Sequence, residues 1–149
     1  MKSTHFLFIS PGTDPAASFL GWRLARIDGS QSKTLKAFYN RMAEALDFPD
    51  YFGYNLDSLD EMLNDLQWIK ENKIVIFIQD SATWLSAEKS DDKLTTLLDL
   101  LEATAEDWKW LDEDDESDLN KKELRILFED SPRIRTLLEE QEIPFSLLD

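Results

Sequence analysis

Runs of apolar residues predict four strands along the chain. The first is "HFLFIS" at residues 5–10, which ends at a Pro-Gly pair. The second is "WRLARID" at residues 22–28, which ends at an Asp-Gly turn signal. The run "KIVIFIQD" at residues 73–80 has no polar alternation, so we expect a strand that is buried on both faces. The last strand is "KELRILFED" at residues 122–130.

Apolar spacings of three and four predict helices between these strands. Ser32 is a candidate N-cap for the first helix, and Pro49 stops it. Asn55 is a candidate N-cap for the second helix. The helical segments are residues 33–47, 56–68, 91–111 and the start of 132–149, whose end is an apolar tail. The expected buried stripes are Leu35, Phe38, Met42 and Leu46; Leu56, Leu59, Leu63 and Leu66; and Leu94, Leu97, Leu98 and Leu101.

The order of these elements predicts an α/β fold. Strands separated by helices favour a largely parallel sheet with helices packed on it. The length of 149 residues suits one compact domain. Trp108 and Trp110, near the end of the third helix, are expected in the core, and the acidic segment 112–118 is expected to be a solvated insertion.

The charge of the chain restricts its partners. The formal net charge is −15, and residues 47–149 account for an excess of 18 acidic side chains over basic ones, against an excess of three basic side chains in residues 1–46. Such a field repels nucleic acid and membranes of anionic lipids, and it attracts basic proteins. Solubility alone also explains an acidic surface. The chain has no cysteine, which excludes disulfides and favours a cytoplasmic location.

Motifs for most enzyme classes are absent from the sequence. No P-loop, GxGxxG, HExxH or GxSxG pattern occurs. His5 is the only histidine, and a structural or surface role is expected for it. No cofactor is expected. Asp57 and Glu61 lie one helical turn apart with Asp60 beside them, so a carboxylate-bound divalent metal is an alternative, although a calcium loop pattern is missing.

The most informative segment is "DFPDYFGYNLDSLDEML" at residues 47–63. Tyr51 and Phe52 precede a glycine that allows a positive φ, and Tyr54 follows it. The carboxylates of the following helix lie off its leucine stripe. One interpretation is a soluble helix with a favourable first turn. The other is a protein interface, in which aromatic rings supply buried area and carboxylates pair with Lys or Arg of a basic partner.

This segment resembles the barstar family, the small intracellular inhibitors of microbial ribonucleases. The shared pattern is Pro, acid, two aromatics, Gly, any residue, Asn, Leu and Asp, which here occupies residues 49–57. The order of elements fits the family across residues 22 to about 129. The resemblance implies a parallel sheet of about three strands with helices packed on it. Residues 1–21, with an extra strand, and residues 130–149, with a helix, are then extensions of a single domain.

The resemblance also implies a mode of action. The turn and second helix of the family enter the active site of the nuclease, where carboxylates replace RNA phosphates. By position, Tyr51 is the aromatic residue of the turn, Asp57 the first helix carboxylate, Glu61 the central one and Glu102 an outlying acid. The family pattern differs at Tyr54, at Asp60, which replaces a Trp, and at Glu61, which replaces an Asp. The residues assigned to the partner-binding surface are Tyr51, Phe52, Gly53, Tyr54, Asn55, Asp57, Asp60, Glu61, Asn64 and Glu102.

The sequence therefore favours a non-enzymatic inhibitor of a basic nuclease, as in an immunity protein that blocks a toxin ribonuclease. One alternative is an acidic mimic of nucleic acid that blocks another basic protein and does not need the aromatic turn. A second alternative is a metal-dependent enzyme that uses the three helix carboxylates.

Overall fold

A computed structural model of the chain describes residues 4–109 and 121–148. The predicted solvated insertion at 112–118 and the side chain of Trp110 lie outside these ranges.

The described residues form five strands and four α-helices. In chain order they are β1 (Phe6–Ile9), β2 (Arg23–Asp28), α1 (Leu35–Ala45), α2 (Leu56–Leu63), β3 (Lys73–Gln79), α3 (Asp92–Lys109), β4 (Glu123–Glu129), α4 (Pro132–Glu140) and β5 (Phe145–Leu147). Two short 3-10 segments, Pro15–Phe19 and Gly29–Gln31, follow β1 and β2.

The strands form one parallel sheet with the order β2-β3-β4-β1-β5. The predicted α/β class is confirmed, but the described sheet has five strands, whereas the prediction was about three strands and an extra N-terminal strand. The extra strand β1 pairs with β4, with Phe6 opposite Ile126, and β5 extends the sheet beyond β1. The apolar tail predicted after the last helix therefore contributes a strand, β5. Local patterns do not reveal such pairing, because its partners are far apart in sequence and β5 has only three residues.

The two faces of the sheet are covered differently. The larger core contains the apolar side chains of all four helices, together with alternate residues of β1 to β4. On the other face, Val75, Phe77 and Leu127 form a smaller cluster with Ile9 and with Phe19 of the first 3-10 segment. Val75 and Phe77 are 0% and 1% exposed, and Ile74, Ile76 and Ile78 are 0% exposed, so the prediction that β3 is buried on both faces is confirmed.

The first helix begins later than the sequence predicted. Its N-cap is Thr34, whose side chain accepts a hydrogen bond from the backbone N–H of Ala37 at 3.2 Å. Ser32 instead ends the preceding 3-10 segment and is fully buried. The helix ends at Ala45, before Pro49.

The second helix is shorter than predicted. It ends at Leu63, and Leu66 has φ 55°, a left-handed conformation that no α-helix continues through. Leu66 still fills a core position at 0% exposure, which explains why the leucine spacing resembles a longer helix.

Two buried side chains, His5 and Trp108, have structural roles. His5 is 2% exposed, with Nε2 lying 2.7 Å from Glu106 Oε1 and Nδ1 lying 3.5 Å from Arg125 Nη1. Trp108 is 8% exposed, and its Nε1 donates to the carbonyl of Leu63 at 2.8 Å, which confirms its predicted core position and joins α3 to α2.

Candidate protein-binding surface

The turn between α1 and α2, residues 47–55, is anchored at the amino end of the sheet. Arg23, the first residue of β2, donates to the carbonyl of Ala45 at 3.2 Å and to Asp47 Oδ2 at 2.8 Å. Trp68, from the segment after α2, donates from Nε1 to the carbonyl of Leu46 at 2.7 Å. The start of the turn is therefore attached to β2 and to the segment after α2.

Phe52 is the apolar anchor of this turn. It is 5% exposed, and its ring centroid lies 4.8 Å from that of Phe48, 6.3 Å from that of Tyr39 and 4.6 Å from that of Tyr54. Sequence reasoning assigned the ring of Phe52 to the contact surface, whereas the structure places it in the core. The ring is buried because the rings of Phe48 and Tyr39 pack against it.

Side-chain hydrogen bonds fix the entry into α2. Asn55 Oδ1 accepts from the backbone N–H of Ser58 at 2.8 Å, which confirms Asn55 as the N-cap. Ser58 Oγ in turn accepts from the backbone N–H of Gly53 at 2.7 Å. A Cβ on Gly53 would lie 3.3 Å from Asn55 Nδ2 and from Ser58 Cβ, so the close approach favours glycine. Tyr54, with φ 53°, is the left-handed residue at this point of the turn.

Sequence reasoning missed Ser58. Its position three residues after the N-cap is the one from which a polar side chain reaches back to the backbone before the helix. The spacing of Asn55 and Ser58 was therefore a usable signal.

One face of α2 presents polar side chains to solvent. Asp57, Asp60, Glu61 and Asn64 are exposed, whereas Leu59 and Leu63 on the opposite face are 0% exposed. Asp57 lies in the first turn, where the helix dipole favours an anion.

Asp60 is held in place by its neighbour one turn later. Asn64 Nδ2 donates to Asp60 Oδ1 at 2.9 Å and to the carbonyl of Asp60 at 2.8 Å. The bond orients the carboxylate at a position where the resemblance had implied a tryptophan.

Two tyrosines stand beside these carboxylates. Tyr51 is 67% exposed and Tyr54 is 50% exposed, which is unusual for rings of this size. We call the exposed set formed by Tyr51, Tyr54, Asp57, Asp60, Glu61 and Asn64 the acidic-aromatic surface. Phe52, Gly53 and Asn55 lie behind it or shape it.

Glu102 lies on α3 and is half-buried. The bond from Trp108 to Leu63 places α3 against α2, so Glu102 lies on the helix next to the acidic-aromatic surface. Its part in partner binding stays a prediction.

Within residues 4–109 and 121–148, His, Asp and Glu side chains form no group of three or more that could hold a metal ion. None of the helices in that part of the chain is long and apolar enough to cross a membrane.

Comparisons with solved structures concern the fold alone. The ORC2 protein of Aeropyrum pernix, in ADPNP-ADP complexes, matches 97% of this chain with 15% identity and a TM-score of 0.56. Its ADP form matches equally well, and CDC6P of Pyrobaculum aerophilum matches with 16% identity and a TM-score of 0.47. The chain spans 41%, 42% and 38% of these proteins, respectively. No curated protein matches the sequence significantly.

A family model matches most of the sequence. It is described as Barstar (barnase inhibitor), and it matches residues 22–129, from the residue before β2 to the last residue of β4. The matched region contains the turn, α2 and α3, which carries Glu102. The chain belongs to the barstar family.

Proposed function

We propose that this protein inhibits a ribonuclease, as an immunity protein does for a toxin, by covering the nuclease active site with the acidic-aromatic surface. The observation that carries the proposal is the exposure of Tyr51 and Tyr54 next to Asp57, Asp60 and Glu61 on one rigidly attached turn and helix. Membership of the barstar family supports a nuclease as the class of partner.

Electrostatics supports fast association. A ribonuclease active site is basic because it must bind phosphates. A chain with a net charge of −15 is attracted to such a site over a Debye length of about 10 Å at moderate salt. The barnase–barstar pair is itself a well-known example of such steering, and the same physics applies to any acidic inhibitor of a basic enzyme.

The surface supports slow release and exclusion of RNA. Asp57, Asp60 and Glu61 lie within one helical turn, so together they can face several Lys or Arg side chains that otherwise hold phosphates. The rings of Tyr51 and Tyr54 add contact area at a small cost in conformational entropy. A nuclease bound in this way is closed to its substrate both sterically and electrostatically.

The supporting residues preorganise this surface. Phe52 anchors the turn in the core, Ser58 and Asn55 fix the start of α2, and Asn64 orients Asp60. These contacts reduce the conformational entropy that the turn and α2 lose on binding, which favours affinity.

The exposed tyrosines distinguish this proposal from a general mimic of nucleic acid. A mimic depends on charge alone, whereas the inhibitor also uses the ring of Tyr51. The Tyr51→Ala variant should therefore bind the nuclease more weakly at unchanged salt dependence, because no charge is lost.

Inhibition of RNA cleavage tests the proposal. Basic microbial ribonucleases, with barnase among them, would be titrated with the native chain and with the Asp57→Ala, Glu61→Ala double variant. A matched control is Glu139→Ala, Glu140→Ala, which removes the same charge from exposed positions of α4. The proposal expects the inhibition constant of the first variant to rise at least about 100-fold and that of the control to change less than about threefold. Equal inhibition by both variants would contradict it.

A further inference from the structure

At the carboxyl edge of the sheet, the connections that follow β1 and β4 leave toward opposite faces. These strands are neighbours, with Phe8 opposite Phe128. The chain after β1 packs Phe19 against one face of the sheet, whereas the chain after β4 packs Ile134 against the other face. In open parallel sheets, ligands bind in the crevice where neighbouring connections diverge in this way.

Glu129, the last residue of β4, places its carboxylate between the loops that follow β1 and β3. Oε2 accepts a hydrogen bond from the backbone N–H of Gly12, in the loop after β1, at 3.2 Å. Oε1 accepts from the backbone N–H of Asp80, in the segment after β3, at 2.8 Å. Because β4 lies between β3 and β1, a single carboxylate receives one N–H from each neighbouring loop.

The surroundings hold Glu129 in this position. Ser81 Oγ donates to the backbone carbonyl of Glu129 at 2.5 Å and lies 2.8 Å from Ser131 Oγ. Ser81 and Ser131 are 1% and 4% exposed. Asp80 and Gly12 have φ values of 48° and 82°, left-handed conformations that shape the two loops around the carboxylate.

Two backbone N–H groups that converge on one anion form the kind of concavity that binds phosphate and carboxylate groups in other proteins. Hydrogen bonds from N–H groups to an ionised acceptor are roughly twice as strong as neutral ones. The side chain of Glu129 is half-buried and Gly12 is exposed, so a small anion from solvent can reach this position once the carboxylate is removed.

We propose that Gly12 and Asp80 form a binding site for a small oxyanion, a carboxylate or phosphate group, and that the chain fills this site with its own Glu129. The native protein is then closed to phosphate-bearing ligands at the edge where its fold would otherwise bind them. Removal of the carboxylate opens the site. The site is independent of the proposed inhibitor function, because the turn of the acidic-aromatic surface is anchored to Arg23 at the amino end of β2, and β2 is parallel to the other strands.

The full chain carrying Glu129→Ala provides the test, with sodium formate and inorganic phosphate as probes against sodium chloride of equal ionic strength. The variant should melt roughly 5 °C below the native chain in chloride. Formate should restore at least half of that loss with a saturable dose dependence. The amide proton signals of Gly12 and Asp80 should shift with formate in the variant and not in the native chain.

Two control variants separate the site from general effects of salt. Ile76→Val weakens the core in β3 without touching the site, so formate should stabilise it no more than the native chain. Glu129→Gln keeps the side-chain volume but has one acceptor oxygen, so one of the two amide protons should show a weakened hydrogen bond, and formate should not bind. If Glu129→Ala does not fold, the weakened amide hydrogen bond in Glu129→Gln still tests whether the carboxylate holds both N–H groups. The proposal is overturned if formate stabilises Glu129→Ala no more than Ile76→Val, if both amide signals are unchanged in Glu129→Gln, or if phosphate saturably stabilises the native chain.

Discussion

The burial of Phe52 gives a sharp prediction, because this ring is buried whereas the ring of its neighbour Tyr51 is exposed. Phe52 is 5% exposed, and the ring of Tyr51 beside it is 67% exposed. Phe52→Ala should therefore destabilise the fold, and Tyr51→Ala should leave its stability almost unchanged.

The magnitude follows from the contacts. Replacement of a buried phenylalanine by alanine costs about 3–5 kcal/mol in transfer and cavity terms. Phe52 also has ring contacts with Phe48, Tyr39 and Tyr54, at centroid distances of 4.8, 6.3 and 4.6 Å. Tyr54 lies half in solvent and can close part of the cavity, so we expect a loss of about 3 kcal/mol in the free energy of unfolding. That is a large part of the roughly 5–15 kcal/mol of a typical domain, and it should lower Tm by about 9 °C.

Urea unfolding of the native chain, Phe52→Ala and Tyr51→Ala measures these values, with fluorescence and far-UV circular dichroism as coincident probes. The Tyr51→Ala variant should lie within about 0.5 kcal/mol of the native chain, as surface substitutions do. A third variant, Phe52→Leu, keeps most of the apolar volume and should fall between them. A loss below about 1 kcal/mol in Phe52→Ala would refute the assignment of this ring to the core.

Three further predictions concern other parts of the molecule. Asn55→Ala removes the hydrogen bond to the backbone N–H of Ser58 and should lower the free energy of unfolding by about 1 kcal/mol in chemical denaturation. Asn55→Asp should retain most of the native stability. An unchanged stability in Asn55→Ala would contradict the role of Asn55 as the N-cap. Burial raises the pKa of Tyr39, with the charge of Glu88 adding to the effect, so the folded chain keeps this proton to higher pH than the unfolded chain. The contribution of Tyr39 to stability is therefore complete below the ordinary tyrosine pKa of about 10 and is lost as pH rises above it. The free energy of unfolding should fall less between about pH 9.5 and 11 in Tyr39→Phe than in the native chain. Equal pH dependence of the two chains would contradict this. Arg133 Nη1 donates to the carbonyl of Trp84 at 2.7 Å. Arg133→Lys loses the planar guanidinium and should lower Tm by about 3 °C in calorimetry. An unchanged Tm would contradict this role.

The class of the fold was predictable because its local signals agree. The uninterrupted apolar run of β3 predicted burial on both faces, and the structure confirms it. The burial of Leu59 and Leu63 in α2 and the N-cap at Asn55 were predictable for the same reason, since each depends on residues within one or two turns.

The extent of the sheet was not predictable, because it depends on pairing between distant segments. Strand β1 lies against β4 about 120 residues away, and β5, with three residues, has too short a pattern to distinguish from a tail. Their partners were therefore visible only in the folded chain.

The candidate surface was predictable in composition but not in arrangement. The acids of α2 were assigned to an exposed face from the helical period, and they are exposed. The same period cannot show which of Tyr51, Phe52 and Tyr54 points inward, since the turn is irregular and Tyr54 adopts a left-handed conformation. The role of Glu129 lies outside sequence patterns, because its two partners come from loops that only the parallel sheet brings together.

Affinity capture from the source cells at low salt would show whether α2 binds a ribonuclease. The native chain, the Asp57→Ala, Glu61→Ala variant and the Glu139→Ala, Glu140→Ala control would be immobilised at equal density, and captured proteins would be assayed for RNA cleavage. We expect the native chain and the control to retain a basic ribonuclease. The Asp57→Ala, Glu61→Ala variant should not retain it. Retention of the ribonuclease by all three chains would contradict the assignment of binding to α2, and retention of none by the native chain would contradict the proposed function.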